Sequence, residues 1–264
     1  MQIKNSVFLV VGGASDLYGR ATVEKLLKEG GRVIICDLPT KDLHIYGDDK
    51  AIFLPINVSS DVDIKTLVSV VDEKYGRLDG VVNCTDQSSS TPVYDFKEKE
   101  PQKLQEFADI LYENILGPFN IIRFTIPLLA RNVPKKGSGR GIIINMSNAA
   151  AFESSDKSCA YAASKAAVVR MTEALNFELQ GIQVRCVSIV TGNGIFEYWE
   201  LCKVKLPDAL NGSEANSVSS FFDNINGSLE ETEGPRKFAE LVKTVVETST
   251  MNASMIRLDS VPGT

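Results

Sequence analysis

Short, nearly continuous apolar runs recur along the chain at Val7–Val11, Arg32–Cys36, Ala51–Ile56, Gly80–Cys84, Gly141–Asn145, Val184–Ile189 and Ser254–Leu258. Each is bounded by turn residues and lacks strict polar alternation, so each reads as a strand buried on both faces. Between them lie stretches of helical periodicity: Arg20–Glu29, Val62–Tyr75, Gln102–Leu129, Ala160–Leu179 and Pro235–Glu247. The βαβα order implies a doubly wound α/β sheet of about seven parallel strands, with right-handed crossovers and helices on both faces. No internal repeat interrupts it, and residues 1–264 read as one domain.

One segment breaks the rhythm. Residues 193–233 are rich in Asn, Ser, Asp and Glu, with aromatics at Phe196, Tyr198, Trp199, Phe221 and Phe222. A connection this long reads either as a lid over the ligand edge or as a variable surface insertion carrying two short helices. Pro134–Gly139 reads as a solvated basic turn.

Composition narrows the function classes. The 264 residues are 44% hydrophobic and 23% charged, enough for a sizeable core, with net charge −6. That charge argues against direct, non-specific nucleic-acid binding, which needs a basic face. The absence of an apolar run long enough to span a bilayer argues against a membrane helix. The chain enters its first strand too soon after Met1 for a cleaved secretory signal. The five cysteines (Cys36, Cys84, Cys159, Cys186, Cys202) are widely spaced, so reduced thiols and no metal site are expected. His44, the lone histidine, reads as a surface residue, and triplets such as Asn226-Gly227-Ser228 as chance sequons.

Two motifs carry chemistry. Gly12-Gly13-Ala14-Ser15-Asp16-Leu17-Tyr18-Gly19 joins the first strand to the first helix. Such a turn aims backbone N–H groups at a pyrophosphate and marks a Rossmann-type dinucleotide site, with Gly12, Ser15, Leu17 and Gly19 as candidate contacts. Asp37 closes the second strand, where a carboxylate accepts from a ribose 2′-hydroxyl and repels a 2′-phosphate. That favours NAD(H) over NADP(H), although a turn or cap role would also place an aspartate there. The second motif is Tyr161-Ala162-Ala163-Ser164-Lys165. At i, i+4 the ammonium shares a helix face with the phenol, and a nearby cation lowers a tyrosine pKa toward the range of a general acid/base.

These motifs, together with Ile35–Pro39, Tyr75–Asp79, Asn114–Arg123, Arg140–Asn145, Ala150–Glu153 and Ile256–Asp259, resemble the short-chain dehydrogenase/reductase family over nearly the whole chain, the stretch from about 194 to 233 excepted. The resemblance implies NAD(H) bound along the C-terminal edge of the sheet. It gives Tyr161 the acid/base role, Lys165 the nicotinamide ribose and Asn114 a proton-relay water. It also implies a homotetramer built on the two long helices and the last strand, a mitochondrial or otherwise cytoplasmic location, and hydroxyacyl-CoA or hydroxysteroid substrates.

The chain departs from the family at the same edge. The family serine 13 residues before the tyrosine is Asn148, whose amide could still donate to a carbonyl oxygen. Ser147 is one step along the strand and points to the other face. The middle glycine of the turn is Asp16, which brings charge and bulk to a phosphate site or simply caps the helix. Cys84 is followed by Thr85-Asp86 where the family has Ala-Gly, and Asn57-Val58 stands for Asp-Val at the adenine. Ile189-Val190 stands for the Pro-Gly turn of the nicotinamide pocket. Two functional readings follow. One is a family member with weakened or lost hydride transfer that serves as a structural or partner subunit with protein partners. The other is an active NAD(H)-dependent oxidoreductase of an alcohol or ketone through Tyr161 and Lys165. A ligand sensor without turnover is a third.

Overall fold

In β1 (Val7–Val11), Phe8 and Val10 enter one core while Val7, Leu9 and Val11 enter the other, the period-2 division that a doubly covered sheet requires. The computed structural model describes residues 1–38, 46–47, 50–135, 137–153, 158–192, 233–252 and 255–258. β2 (Arg32–Asp37) and β5 (Gly80–Asn83) flank β1 in parallel, with Val11 beside both Cys36 and Asn83. β4 (Ala51–Pro55) extends one side, and β8 (Gly141–Asn148), β9 (Val184–Thr191) and β10 (Met255–Leu258) extend the other. The order is β10-β9-β8-β5-β1-β2-β4, seven parallel strands, with the two-residue β3 (Tyr46–Gly47) antiparallel at the edge. Strand order reverses between β1 and β5, the topological switch where such sheets bind ligands.

Helices α1 (Leu17–Lys28) and α6 (Glu233–Glu247) cover one face through Val23, Leu26, Phe238, Val242 and Val246. The other face is covered by α2 (Asp61–Tyr75), α4 (Gly117–Ala130) and α5 (Cys159–Glu178), through Ile64, Leu67, Ile121, Leu128 and Leu175. Buried Arg185 on β9 donates to Val245, Val246, Thr248 and Met251 carbonyls at 2.7–3.2 Å, filling the carbonyl-rich end of α6 with a cation.

The expected helix Gln102–Leu129 is two helices. α3 (Leu104–Leu111) leads through a π turn, Tyr112–Leu116, into α4. Pro118 has no N–H to close an α turn onto Asn114, and Gly117 N–H reaches back to Tyr112 O instead. A side chain at Gly117 would also meet Val58 Cγ2 at 2.5 Å. A small hairpin, β6 (Tyr94–Asp95) with β7 (Glu100–Pro101), precedes α3. The long segment 193–233 lies outside the described residues except for Glu233, and His44, Cys202, Ser254 and Asp259 also lie outside them.

Candidate functional site

The ends of β1, β2, β5, β8 and β9 converge on one edge, and the sequence-expected site residues sit there or on the adjoining helix starts. Gly12 adopts φ +75° and its N–H bonds Cys36 O at 2.8 Å, which turns the chain out of β1. A Cβ on Gly19 would fall 2.2 Å from Gly12 O, so glycine there lets α1 sit directly on the turn. The helix begins at Leu17 rather than Arg20 because Asp16 caps it, accepting from Tyr18 N at 2.9 Å and Gly19 N at 3.0 Å. Those are the N–H groups a helix terminus offers to an anion. Asp16 is half-buried as a residue, yet its carboxyl is enclosed. Burial first, and then the charge of Asp86, raise it to about 7, against the Gly19 and Tyr18 amides, which lower it.

The next amides of the turn are also taken by the chain. Asp37 accepts from Ala14 N at 3.0 Å, Ser15 N at 2.7 Å and Ser15 Oγ at 2.8 Å. It is both turn residue and ribose candidate, as its position at the end of β2 allows. Beyond it Glu113 is held above the usual carboxylate range, by burial first and then by Asp37 and Asp109. Asn57 is exposed and forms the turn into α2, accepting from Ser59 N at 2.9 Å. Val58 is buried, and its carbonyl accepts from Asn120 at 2.9 Å.

At the other end of the cleft, α5 presents Tyr161 and Lys165, 0% and 1% exposed. The Lys165 ammonium lies over the Tyr161 ring, 5.5 Å from its centroid, and Asp86 joins the two polar ends. Tyr161 Oη donates to Asp86 Oδ2 at 3.0 Å, and Lys165 Nζ pairs with Asp86 Oδ1 at 3.1 Å. The expected lowering of the tyrosine pKa is therefore reversed. Burial, the Asp86 charge and the hydrogen bond that Asp86 accepts from the neutral phenol, in that order, hold Tyr161 well above its ordinary value.

Asn114 fixes this arrangement. On the π turn its Oδ1 accepts from Gln87 N at 2.8 Å, and its Nδ2 donates to Gln87 O at 2.8 Å and to Ser164 Oγ at 2.9 Å. The residue after Asp86 is thus clamped in both directions, and Ser158 N bonds Ser89 O at 3.0 Å two residues further on. Cys84 is wholly buried, and its N–H continues the β1–β5 ladder to Val11 O at 2.9 Å. Behind it Asn83, Asn145 and Thr172 form a buried amide chain from β5 through β8 to α5.

Asn148 ends β8 within the same edge. Its Oδ1 accepts from Ala150 N at 2.9 Å and its Nδ2 donates to Thr191 Oγ1 at 3.2 Å, so its amide is engaged in shaping the turn. Ser147 points the other way, donating to Lys165 O at 2.8 Å. Ile189 and Val190 make no Pro-Gly-like turn, as expected of two β-branched residues, which resist positive φ. They are strand residues paired with Ile256 and Arg257, and β9 runs on to Thr191. Tyr18, the residue next to Gly19, is buried edge-on against Phe238 at 5.2 Å.

Sequence reasoning placed Asp16 and Asp86 beside the phosphates but missed that Asp86 is the common partner of Tyr161 and Lys165. It also missed Gln87, Ser164 and Tyr18. The available signal was a carboxylate replacing glycine three residues after a strand that ends beside the Tyr-Lys helix. A dinucleotide would need the turn amides for its phosphates and the Tyr161–Lys165 pair for its nicotinamide ribose. Both sets are engaged by the chain's own carboxylates, so the residues in this arrangement do not fit that group.

Comparison with known proteins shows the family of the chain. Residues 6–194 match the family model described as short chain dehydrogenase. The 3-hydroxyacyl-CoA dehydrogenase type-2 of Drosophila melanogaster is 35% identical over 260 residues, spanning 97% of this chain and 97% of that protein. The Bos taurus protein of the same name is 32% identical over 264 residues, spanning 97% of this chain and 95% of its own. The crystal structure of 3-hydroxyacyl-CoA dehydrogenase type-2 from Mycobacterium avium superposes with a TM-score of 0.73 at 23% identity, covering 97% of this chain and 94% of that one, a likeness of fold. Matched over most of its length by the family model and over 97% of it by these relatives, the chain belongs to the short-chain dehydrogenase family of oxidoreductases.

Proposed function

We propose that this protein keeps the short-chain dehydrogenase fold as a structural or partner subunit and has weakened or lost hydride transfer. The observation that carries the reading is Asp86, bonded to Tyr161 Oη at 3.0 Å and paired with Lys165 Nζ at 3.1 Å. A general acid/base tyrosine must release its proton near neutral pH. A buried phenol donating to a carboxylate is biased toward its neutral form, and a lysine paired with that carboxylate no longer opposes the bias. Family membership implies a nicotinamide cofactor for the ancestral cleft. If any is bound, Asp37 favours NAD(H) over NADP(H), because its carboxylate would repel a 2′-phosphate.

The second reading, NAD(H)-dependent oxidation of a hydroxyacyl-CoA, hydroxysteroid or similar alcohol, is favoured by the retained Tyr161, Lys165 and Asn114 and by relatives named as 3-hydroxyacyl-CoA dehydrogenases. Turnover of 3-hydroxybutyryl-CoA and of a hydroxysteroid, followed as NADH absorbance, separates the two. The first reading expects turnover to be absent or far below that of ordinary enzymes. A rate above about 1 per second, the low end of ordinary enzymes, overturns it.

The partner-subunit reading includes self-association as a homotetramer. Leu104, Tyr112, Leu116 and Phe119 are exposed along α3, the π turn and α4, and Phe177 is exposed on α5. Such apolar faces are what an isologous helix interface covers. A monomer by light scattering would count against this part. Among the described residues no helix is long and apolar enough to cross a membrane. The mitochondrial location belongs to the same proposal, and fractionation of cells tests it.

A further inference from the structure

The cleft edge already holds carboxylates wherever its cofactor-facing groups need an anionic or hydroxyl partner. Tyr18 N and Gly19 N donate to Asp16, and Ala14 N and Ser15 N donate to Asp37. Tyr161 Oη and Lys165 Nζ both meet Asp86. Asp37 stands where the fold ordinarily places an acid. Asp16 and Asp86 replace positions where glycine would leave the backbone open to a ligand.

We infer that Asp86, with Asp16 as its counterpart on the turn, is an intramolecular ligand that occupies the place of a dinucleotide and excludes it. The proposal rests on the reading of lost or weakened hydride transfer and names the residues responsible. Three observations assemble it. First, Asp86 is not a loose loop carboxylate, because the next residue is clamped by two Asn114 hydrogen bonds of 2.8 Å and its own side chain is 11% exposed. Second, the pair it holds is buried, so Asp86 satisfies groups that would otherwise be left without a counter-charge. Third, Asp16 accepts from the first-turn amides of α1 at 2.9 and 3.0 Å, as a phosphate would. A diphosphate entering here meets two carboxylates and finds the Ala14, Ser15, Tyr18 and Gly19 amides taken. Asn114 is accordingly a positioning residue for the plug.

The test uses the full chain in four forms: wild type, Asp86→Gly, Asp16→Gly and the double variant. Glycine is itself tolerated at a helix N-cap, and Asp86→Asn and Asp16→Asn keep shape while removing charge should a glycine variant fail to fold. NADH is the probe, read by calorimetry and nucleotide fluorescence. Each substitution is expected to tighten NADH binding about tenfold or more, with the double variant reaching the micromolar range. Phenolate absorbance is the second readout. The chain has seven tyrosines, so each spectrum is referenced to the same protein carrying Tyr161→Phe. The Tyr161 phenolate should be absent in wild type up to the alkaline limit of folding and should appear in Asp86→Gly at a pH lower by about one unit or more. Micromolar NADH binding by wild type would sink the non-catalytic reading and the exclusion together. A wild type that does not bind, beside a folded double variant that does not bind either and an unmoved phenolate, would leave that reading standing and overturn this one.

Discussion

Substituting Lys165 by Met should destabilise this protein strongly, whereas a lysine poised for a cofactor would cost little to remove. Lys165 and Asp86 are 1% and 11% exposed as side chains and lie 3.1 Å apart. At an effective dielectric constant of about 20 their gross attraction is roughly 5 kcal/mol, most of it offset by the desolvation of both ions. Removing only the ammonium leaves the desolvation of Asp86 uncompensated, at a cost of about 3–5 kcal/mol. With an unfolding entropy of about 2.1 cal/mol/K per residue, a chain of 264 residues has roughly 0.55 kcal/mol/K, so the melting temperature should fall by about 5–9 °C. Asp86→Asn should cost about 2 kcal/mol or more, because it leaves the buried Lys165 ammonium without its counter-charge. The double variant Lys165→Met/Asp86→Asn removes both charges and should be no less stable than Lys165→Met alone, giving a coupling of about 2 kcal/mol or more. Urea unfolding followed by far-ultraviolet circular dichroism at pH 7.5 measures all four corners. Additivity within about 0.5 kcal/mol would refute the reasoning, because it would mean that the two charges do not depend on each other.

Three further outcomes follow from the same geometry. Asp16 has its folded-state pKa raised to about 7, so the folded protein binds more protons than the unfolded chain between roughly pH 4 and 7; this contribution favours folding at the acid end and is lost as pH rises through 7. Asp16→Asn keeps the cap and should flatten that part of the stability–pH curve, and an unchanged curve would count against the raised pKa. Arg185→Met should lose about 3 kcal/mol, since four carbonyls around the end of α6 lose a charged donor; a loss below about 0.5 kcal/mol would show that water replaces it. Of the described cysteines, Cys159 is exposed while Cys36, Cys84 and Cys186 are buried with thiols pushed up by burial, so iodoacetamide on the native protein should modify Cys159 and spare the other three by peptide mass spectrometry.

Much of the sheet was legible because burial on both faces leaves an unbroken apolar run, as in Val7–Val11 and Gly141–Ile144. Strand ends were harder. β8 continues to Asn148 and β9 to Thr191 because Ser147, Asn148 and Thr191 find partners inside the fold, which their polar side chains do not announce. The break in the helix at Tyr112–Leu116 was written in Gly117-Pro118, yet the apolar periodicity ran straight through it. The placing of the candidate residues Gly12, Gly19, Asp37, Tyr161 and Lys165 at one edge of the sheet was legible, because motif spacing determines position. Their pairing was not, because it depends on where the loop after β5 delivers Asp86. That delivery is set by Asn114, distant in sequence, and no local pattern reports a contact of that kind.

The most direct test of the central claim is calorimetric titration of the wild-type protein with NADH at pH 7.5. With Asp86 on the Tyr161–Lys165 pair and Asp16 on the α1 amides, the account predicts no saturable binding below the millimolar range. Saturable binding at micromolar NADH would contradict it, because those carboxylates would then have to yield to the very ligand whose place they fill.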